Sequence, residues 1–334
     1  MSATIKSEKE HFPVLLEELI SIISPLYSGT FIDCTFGQGG ISKKILENPK
    51  NKVIALDRDE KATKNAFSLK AKYKDRFIFK NIKFSQINNI VITNKNIKAI
   101  IFDLGYSLNQ ILDPEKGLSF NAQGKLNMKL GLNEFSADDV VNKLDQKDLD
   151  KIFRYFGDEK KAKIISKKIC EFRKKNLLKT ENLVDIINKV KFKKKSKIHS
   201  ATKIFQALRI FVNKEISEII FGLINSFKIL PIGGVLIAIS FHSIEDKIIK
   251  TFFKFFSENK NSSRYLPDHT QTKKLFKLLQ RKPILPSKQE IEINKPSRSA
   301  KLRYAVKINH EQNFNEFINK FDHLLEIENI SKKL

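Results

Sequence analysis

Apolar residues recur at helical spacing over residues 14–23, with Glu17 and Glu18 on the opposite side, and predict a first helix. Residues 30–36 form a short β-branched and aromatic run, the composition of a strand, and Gly37-Gln38-Gly39-Gly40 ends it. The pattern then predicts a helix over 41–47, a strand over 52–56 closed by Asp57, and a helix over 60–73. Strands follow over 77–84 and over 98–102, the latter closed by Asp103. Strand and helix alternating in this way predict βαβ units and a parallel sheet.

The alternation stops after residue 105, and the next strong strand signal is residues 235–241. About 130 residues lie between, where a single crossover needs only a dozen or so. Ser136 with Asp139 reads as a capping box, and helical spacing follows over 149–156, 160–173, 180–190 and 201–227. The economical reading is an α/β domain made of residues 1–108 and 215–334, with a helical insertion over 109–214. Residues 300–308 alternate apolar and polar with period two, a half-buried strand near the sheet edge. An amphipathic helix is expected over 313–330. Residues 229–241 are charge-free but contain Pro231, Gly233 and Gly234, too short a stretch for a membrane span.

Composition narrows the class. In 334 residues, 41% hydrophobic content with 27 Phe is enough for a core, which excludes global disorder. Lys plus Arg is 62 against 37 Asp plus Glu, a net charge of +25 that predicts a polyanionic partner such as nucleic acid. Only nine of those residues are Arg, so part of the excess is lysine bias. Residues 160–203 carry 16 Lys/Arg against three Asp/Glu, a local excess of +13. Residues 189–197 are the densest patch, and Lys193, Lys194 and Lys195 are candidate phosphate contacts. Cys34 and Cys170 are the only cysteines, and no His pair has metal-ligand spacing, so neither a structural zinc nor a disulfide scaffold is expected. With no apolar signal core at residues 1–6, a soluble cytoplasmic protein is expected.

Four segments carry chemistry. Asp33-Cys34-Thr35-Phe36-Gly37-Gln38-Gly39-Gly40 sits between strand and helix, where glycines let a backbone approach a ligand and a helix start offers free N–H groups. Asp57 closes the next strand at what reads as a surface-facing end, the place of a ribose-gripping carboxylate; the alternative is a tight turn with a capping Asp. Ser42 stands where a dinucleotide fingerprint wants a third Gly, which favours S-adenosylmethionine (SAM) over NAD. Asp103-Leu104-Gly105-Tyr106 ends the fourth strand, placing Asp103 to meet cofactor or target, or to cap the loop. Phe241-His242-Ser243-Ile244-Glu245-Asp246 reads as a site lip, and equally as a helix start capped by Ser243 with Asp246 as partner. Arg298 and Arg303 flank Ser299-Ala300-Lys301-Leu302; Arg binds phosphate bidentately, though a basic edge strand is also ordinary surface.

In order, these segments resemble the bacterial cytosine-N4 methyltransferases of small-subunit (16S) ribosomal RNA, the RsmH/MraW family. His11-Phe12-Pro13-Val14-Leu15-Leu16, Leu56-Asp57-Arg58-Asp59, Gly117-Leu118-Ser119-Phe120 and Ala201-Thr202-Lys203-Ile204-Phe205-Gln206-Ala207-Leu208-Arg209-Ile210 carry the resemblance with them. So do Phe102-Asp103-Leu104-Gly105, Ser240-Phe241-His242-Ser243-Ile244-Glu245-Asp246-Lys247 and Ser297-Arg298-Ser299-Ala300-Lys301-Leu302-Arg303. The resemblance implies a Rossmann-like class I SAM-dependent methyltransferase domain with an inserted helical domain. It implies N4 methylation of a decoding-region cytidine, with the small ribosomal subunit as partner. Cofactor contacts are implied at Gly39, Gly40, Ile41, Asp57, Phe84, Asp103 and Gln110. The chain departs from the family at Ile41, where the family has His. It departs again at Ser107-Leu108-Asn109-Gln110 for Ser-Ser-Pro-Gln and at Leu126-Asn127-Met128-Lys129-Leu130 for Leu-Asp-Met-Arg-Met.

The sulfonium methyl group is already activated, so the chemistry is chiefly alignment plus removal of an N4 proton. Asp103 is the candidate acceptor. Tyr106 and Phe241 are candidates to stack on the base, with His242 beside them, and Arg298 and Arg303 face the insertion's lysines across a cleft. No metal or covalent nucleophile is expected, and Cys34 reads as core. Three rivals differ in class. A DNA amino-methyltransferase wants Pro-Pro after Asp103, an NAD dehydrogenase wants the third Gly, and a non-catalytic RNA-binding assembly factor needs only the charge.

Overall fold

The computed structural model describes residues 13–90, 96–106, 110–111, 113–120, 126–191, 199–258, 274–310 and 313–334. Their strands are β1 (Thr30–Asp33), β2 (Lys52–Asp57), β3 (Phe77–Asn81), β4 (Ile97–Asp103), β5 (Val235–Ser240), β6 (Phe276–Lys277) and β7 (Lys301–Lys307). They form one sheet in the order β3-β2-β1-β4-β5-β7-β6. β1 to β5 are parallel, and β7 runs antiparallel to both β5 and β6. This is the expected Rossmann-like class I methyltransferase sheet. Its strand order reverses between β1 and β4, the switch point where open α/β sheets place their ligands.

Helices cover both faces, which is why β1 and β5 are buried along their whole length and read as unbroken apolar runs. On one face lie α1 (Leu16–Ile23), α2 (Gly40–Leu46) and α3 (Ala62–Tyr73), packed on Phe31, Val53, Ile101 and Ile237. After β4 come α4 (Ala137–Lys143), α5 (Gln146–Gly157), α6 (Ala162–Arg173), α7 (Thr180–Lys191), α8 (Thr202–Asn213) and α9 (Glu215–Ile229). One continuous apolar cluster joins these helices to Ile32, Ile54, Ile100 and Leu236 on the sheet's other face. α10 (Ser243–Ser257) follows β5; α11 (Lys288–Ile293), α12 (Asn315–Asn319) and α13 (Asp322–Asn329) complete the chain. No helix among the described residues is long and apolar enough to cross a membrane.

Four local readings are corrected. The helix expected over 201–227 breaks at Lys214, which adopts a left-handed conformation (φ 50°) between α8 and α9. The third strand stops at Asn81, and residues 84–89 turn into a 3-10 segment. The tail divides into α12 and α13 rather than one helix. At the start of α10 the cap lies one residue earlier than expected. His242 is extended (φ −135°, ψ 166°), and Glu245, not Asp246, accepts from the N–H groups of Phe241 (2.7 Å) and His242 (3.1 Å). By contrast, Ser136 and Asp139 form the expected capping box, with Ser136 N–H donating to Asp139 at 2.8 Å.

Candidate active site

Three carboxylates end three neighbouring strands at the switch point: Asp33 on β1, Asp57 on β2 and Asp103 on β4. Between the first two lies the glycine turn. Gly37 (φ 53°) and Gly39 (φ 77°) are left-handed, and a Cβ on Gly39 would sit 2.7 Å from the Phe36 ring packed beneath it. The Asp57 carboxylate accepts Gly37 N–H at 2.7 Å and Asp59 N–H at 2.8 Å. Asp57 is therefore no free carboxylate at a surface-facing strand end, as the sequence suggested; it holds the turn in shape. Burial pushes it up to about 6 despite these bonds.

Asp33 accepts from Ser42 Oγ (2.7 Å) and Thr35 N–H (3.2 Å), and burial raises it to about 6 as well. Sequence reasoning passed over it, although it opens the glycine motif. Asp103 has weaker support: Gly105 N–H reaches it at 3.4 Å, and burial raises it to about 7. Thr35 Oγ1 accepts Asp103 N–H at 2.7 Å and ties β4 to the turn. Asp57 further raises Asp33, and Asp33 further raises Asp103. A row of under-solvated carboxylates like this fits a cationic ligand, which would favour their ionised forms. SAM carries both a sulfonium and an ammonium charge, so these residues suit it.

The other residues implied as cofactor contacts anchor close by. Gly40 and Ile41 begin α2, but the Ile41 side chain is buried in the core, so only its backbone is presented to the turn. Phe84 stands edge-on to Phe102 at 5.3 Å, the residue before Asp103. Gln110 donates to Asp59 at 2.9 Å, two residues beyond Asp57, and Lys116 reaches the same oxygen at 2.9 Å.

Beside Asp103 lies a charged cluster drawn from four segments. Arg209 on α8 donates twice to Glu215 at the start of α9, both at 2.9 Å, and its guanidinium lies 4.0 Å from the Tyr106 ring centre. The Tyr106 hydroxyl donates to Glu215. His242 Nε2 sits 3.0 Å from Glu245 and 3.7 Å from Glu215. Burial opposes charge on His242, but Glu245 and Glu215 outweigh it and raise the imidazole to about 9. Burial likewise opposes charge on Glu215, but Arg209 and His242 hold it at about 2. Two cations thus balance two carboxylates. Ligand atoms of Glu215, His242 and Glu245 lie within 4.8 Å of one another, a spacing that would suit a metal ion, yet their charge is already matched.

Two expected RNA contacts are corrected here, His242 beside the base and Arg303 on phosphate. His242 is engaged by carboxylates, not open to RNA. Arg303 donates to Asp246 at 2.8 Å, as does Lys301, so its charge is already paired. Arg298 is exposed, and Phe241 lies over Gly105, where a Cβ would come within 2.7 Å of the ring. Lys193, Lys194 and Lys195 lie outside the described residues. Arg209 and Glu215 escaped sequence reasoning because they meet Tyr106 across more than a hundred residues, with no local spacing to mark them.

The family model described as the MraW methylase family matches residues 8–308. The chain belongs to the MraW methylase family. It is 39% identical over 305 residues to a protein of Rickettsia bellii named ribosomal RNA small subunit methyltransferase H, covering 90% of this chain and 100% of that one. A Caldicellulosiruptor saccharolyticus protein of the same name is 42% identical over 311 residues, covering 90% and 99%. A solved rRNA methylase from Streptococcus thermophilus aligns at 12% identity with a TM-score of 0.36, covering 90% and 99%. As a methylase of this family, the protein is a methyltransferase that takes its methyl group from SAM.

Proposed function

We propose that this methyltransferase modifies small-subunit ribosomal RNA, at the N4 amine of a cytidine in the decoding region. The observation carrying the mechanism is Asp103: a buried carboxyl at the switch point, raised to about 7 and held by one long hydrogen bond. SAM, when bound, supplies an activated methyl group. The chain's own residues then align and deprotonate. The Gly37–Gly40 turn, held in shape by Asp57, would seat the donor. Asp103 accepts a hydrogen bond from N4–H, which localises the amine's lone pair, and takes the proton as the new bond forms. A carboxyl near 7 is a stronger base than an ordinary Asp, so its burial serves the proton transfer.

Glu215 and Arg209 fix the Tyr106 ring beside Asp103, and Phe241 closes the strand end. A target base reaches them only when unstacked from its helix. In this reading residues 1–108 and 215–334 form the methyltransferase domain. Residues 109–214 form the unit that holds RNA, with Lys193, Lys194 and Lys195 on phosphates and Arg298 of the methyltransferase domain facing them. The work belongs in the cytoplasm, on the assembling or assembled small subunit. Mass mapping of cytidines in small-subunit RNA from cells lacking the protein tests this. One N4-methylcytidine should disappear and return with the wild-type chain but not with Asp103→Asn. Unchanged cytidine modification overturns the proposal.

A further inference from the structure

Outside the catalytic edge, one cleft of about 180 Å³ lies between α10 and the β6–β7 edge of the sheet. Its floor is apolar, from buried Phe253 and half-buried Leu278, and its rim is basic, from Lys250, Lys254, Arg281 and Arg303. Glu258 is the one acid on it, 3.8 Å from Lys254. Lys250 and Arg281 are exposed and form no ion pair among the described residues. Two unpaired cations at the rim of an apolar floor are the chemistry of a nucleotide site, with phosphate at the rim and base or ribose below.

Arg303 links the cleft wall to the start of α10, where the catalytic lip lies. Asp246, four residues from His242, holds Arg303 on the cleft wall at 2.8 Å. Asp246, Lys250 and Lys254 recur every four residues on α10, so they share one face. At 1.5 Å per residue the two lysines stand about 6 and 12 Å along the helix from Asp246. A strand whose target base enters beside Asp103 would meet them with neighbouring nucleotides, not with the target itself.

We propose that this cleft is a second RNA subsite, taking a nucleotide that flanks the target cytidine, with its phosphate on Lys250 and Arg281. The inference rests on the RNA reading above and adds where the strand leaves the catalytic mouth. The test is fluorescence anisotropy of a single-stranded small-subunit RNA oligonucleotide across a salt series, with calorimetry of SAM binding alongside. The variants are Lys250→Ala/Arg281→Ala and, at equal net charge, Lys64→Ala/Lys72→Ala on α3. Each neutralised phosphate contributes about −0.7 to the log–log salt slope of a single strand, so losing the cleft pair, which holds one phosphate, should flatten it by about 0.7 and weaken binding. The α3 pair should leave the slope as in wild type, and SAM affinity should hold in both. If the two pairs behave alike, general charge is at work and the subsite is overturned. If the cleft pair binds RNA normally but loses affinity for the intact small subunit, the cleft meets a protein and the subsite is again overturned. A wild-type chain that binds no RNA at low salt sinks the functional reading as well.

Discussion

Asp103 differs from its neighbours in what burial leaves it. Asp57 and Asp33 each hold two strong donors, whereas Asp103 has one at 3.4 Å and the highest value of the three, about 7. A site base needs that spare acceptor capacity; a structural cap does not. Asp103→Asn keeps the shape and removes the base, so turnover at saturating SAM should fall by about 10²–10⁴-fold with RNA affinity within a few-fold of wild type. Single-turnover methyl transfer reads this directly, and near-normal turnover leaves Asp103 a loop cap. His242 is a different kind of residue, a buried cation serving two carboxylates. Its folded value, about 9, lies above the ordinary 6.5, so the folded state holds the proton more tightly. The stability this gives is complete below pH 6.5 and is lost as the pH rises through 9, at most ~3 kcal/mol. His242→Gln should flatten the fall in melting temperature between pH 6.5 and 9.5; an unchanged slope would place the loss elsewhere.

At the scale of elements, α9 joins the site to the end of the chain. Its first residue is Glu215, hub of the cluster, and its N-terminus is capped by Glu328 of α13, which accepts from Ile216 N–H (2.7 Å) and Ser217 N–H (3.0 Å). Glu328→Ala leaves both donors buried and should cost ~1–3 kcal/mol, read by denaturant unfolding. It should also lower turnover, because Glu215 loses its fixed start; Glu328→Gln should recover most of both. None of this was legible in the sequence, where Glu328 looks like the polar side of a tail helix. What was legible is local. β4 and β5 announce themselves because both faces are buried, and the glycine turn with Asp57 because its parts are close in sequence. The break at Lys214 was hidden, since apolar periodicity runs straight through it. Asn213 is turned to long-range work there, donating to Met128 O at 2.9 Å and accepting from Leu130 N–H at 3.1 Å. β6, two residues long, offers no pattern at all.

Over the whole molecule, a chain of net charge +25 conceals a row of carboxylates at its switch point. The two features sort two charges. A polyanion is drawn to the surface in a salt-dependent way, while a small cation is drawn to buried acids that salt screens far less. The buried row has a cost in the ligand-free protein. Asp33 and Asp57 at about 6 and Asp103 at about 7 all lie above an ordinary Asp near 4, so the folded state binds their protons more tightly. Their contribution favours folding below about pH 4 and is lost as the pH rises toward 7. A bound sulfonium and ammonium would return that loss by pairing with the ionised forms. The rise in melting temperature produced by saturating SAM should therefore be larger at pH 8 than at pH 5. S-adenosylhomocysteine, which has the ammonium but no sulfonium charge, should show a smaller difference. Raising salt from 50 to 500 mM should leave the SAM effect nearly intact while RNA affinity collapses. Equal shifts at both pH values, for donor and product alike, would mean that the carboxylate row does not recognise charge, and the electrostatic account of the pocket would fail.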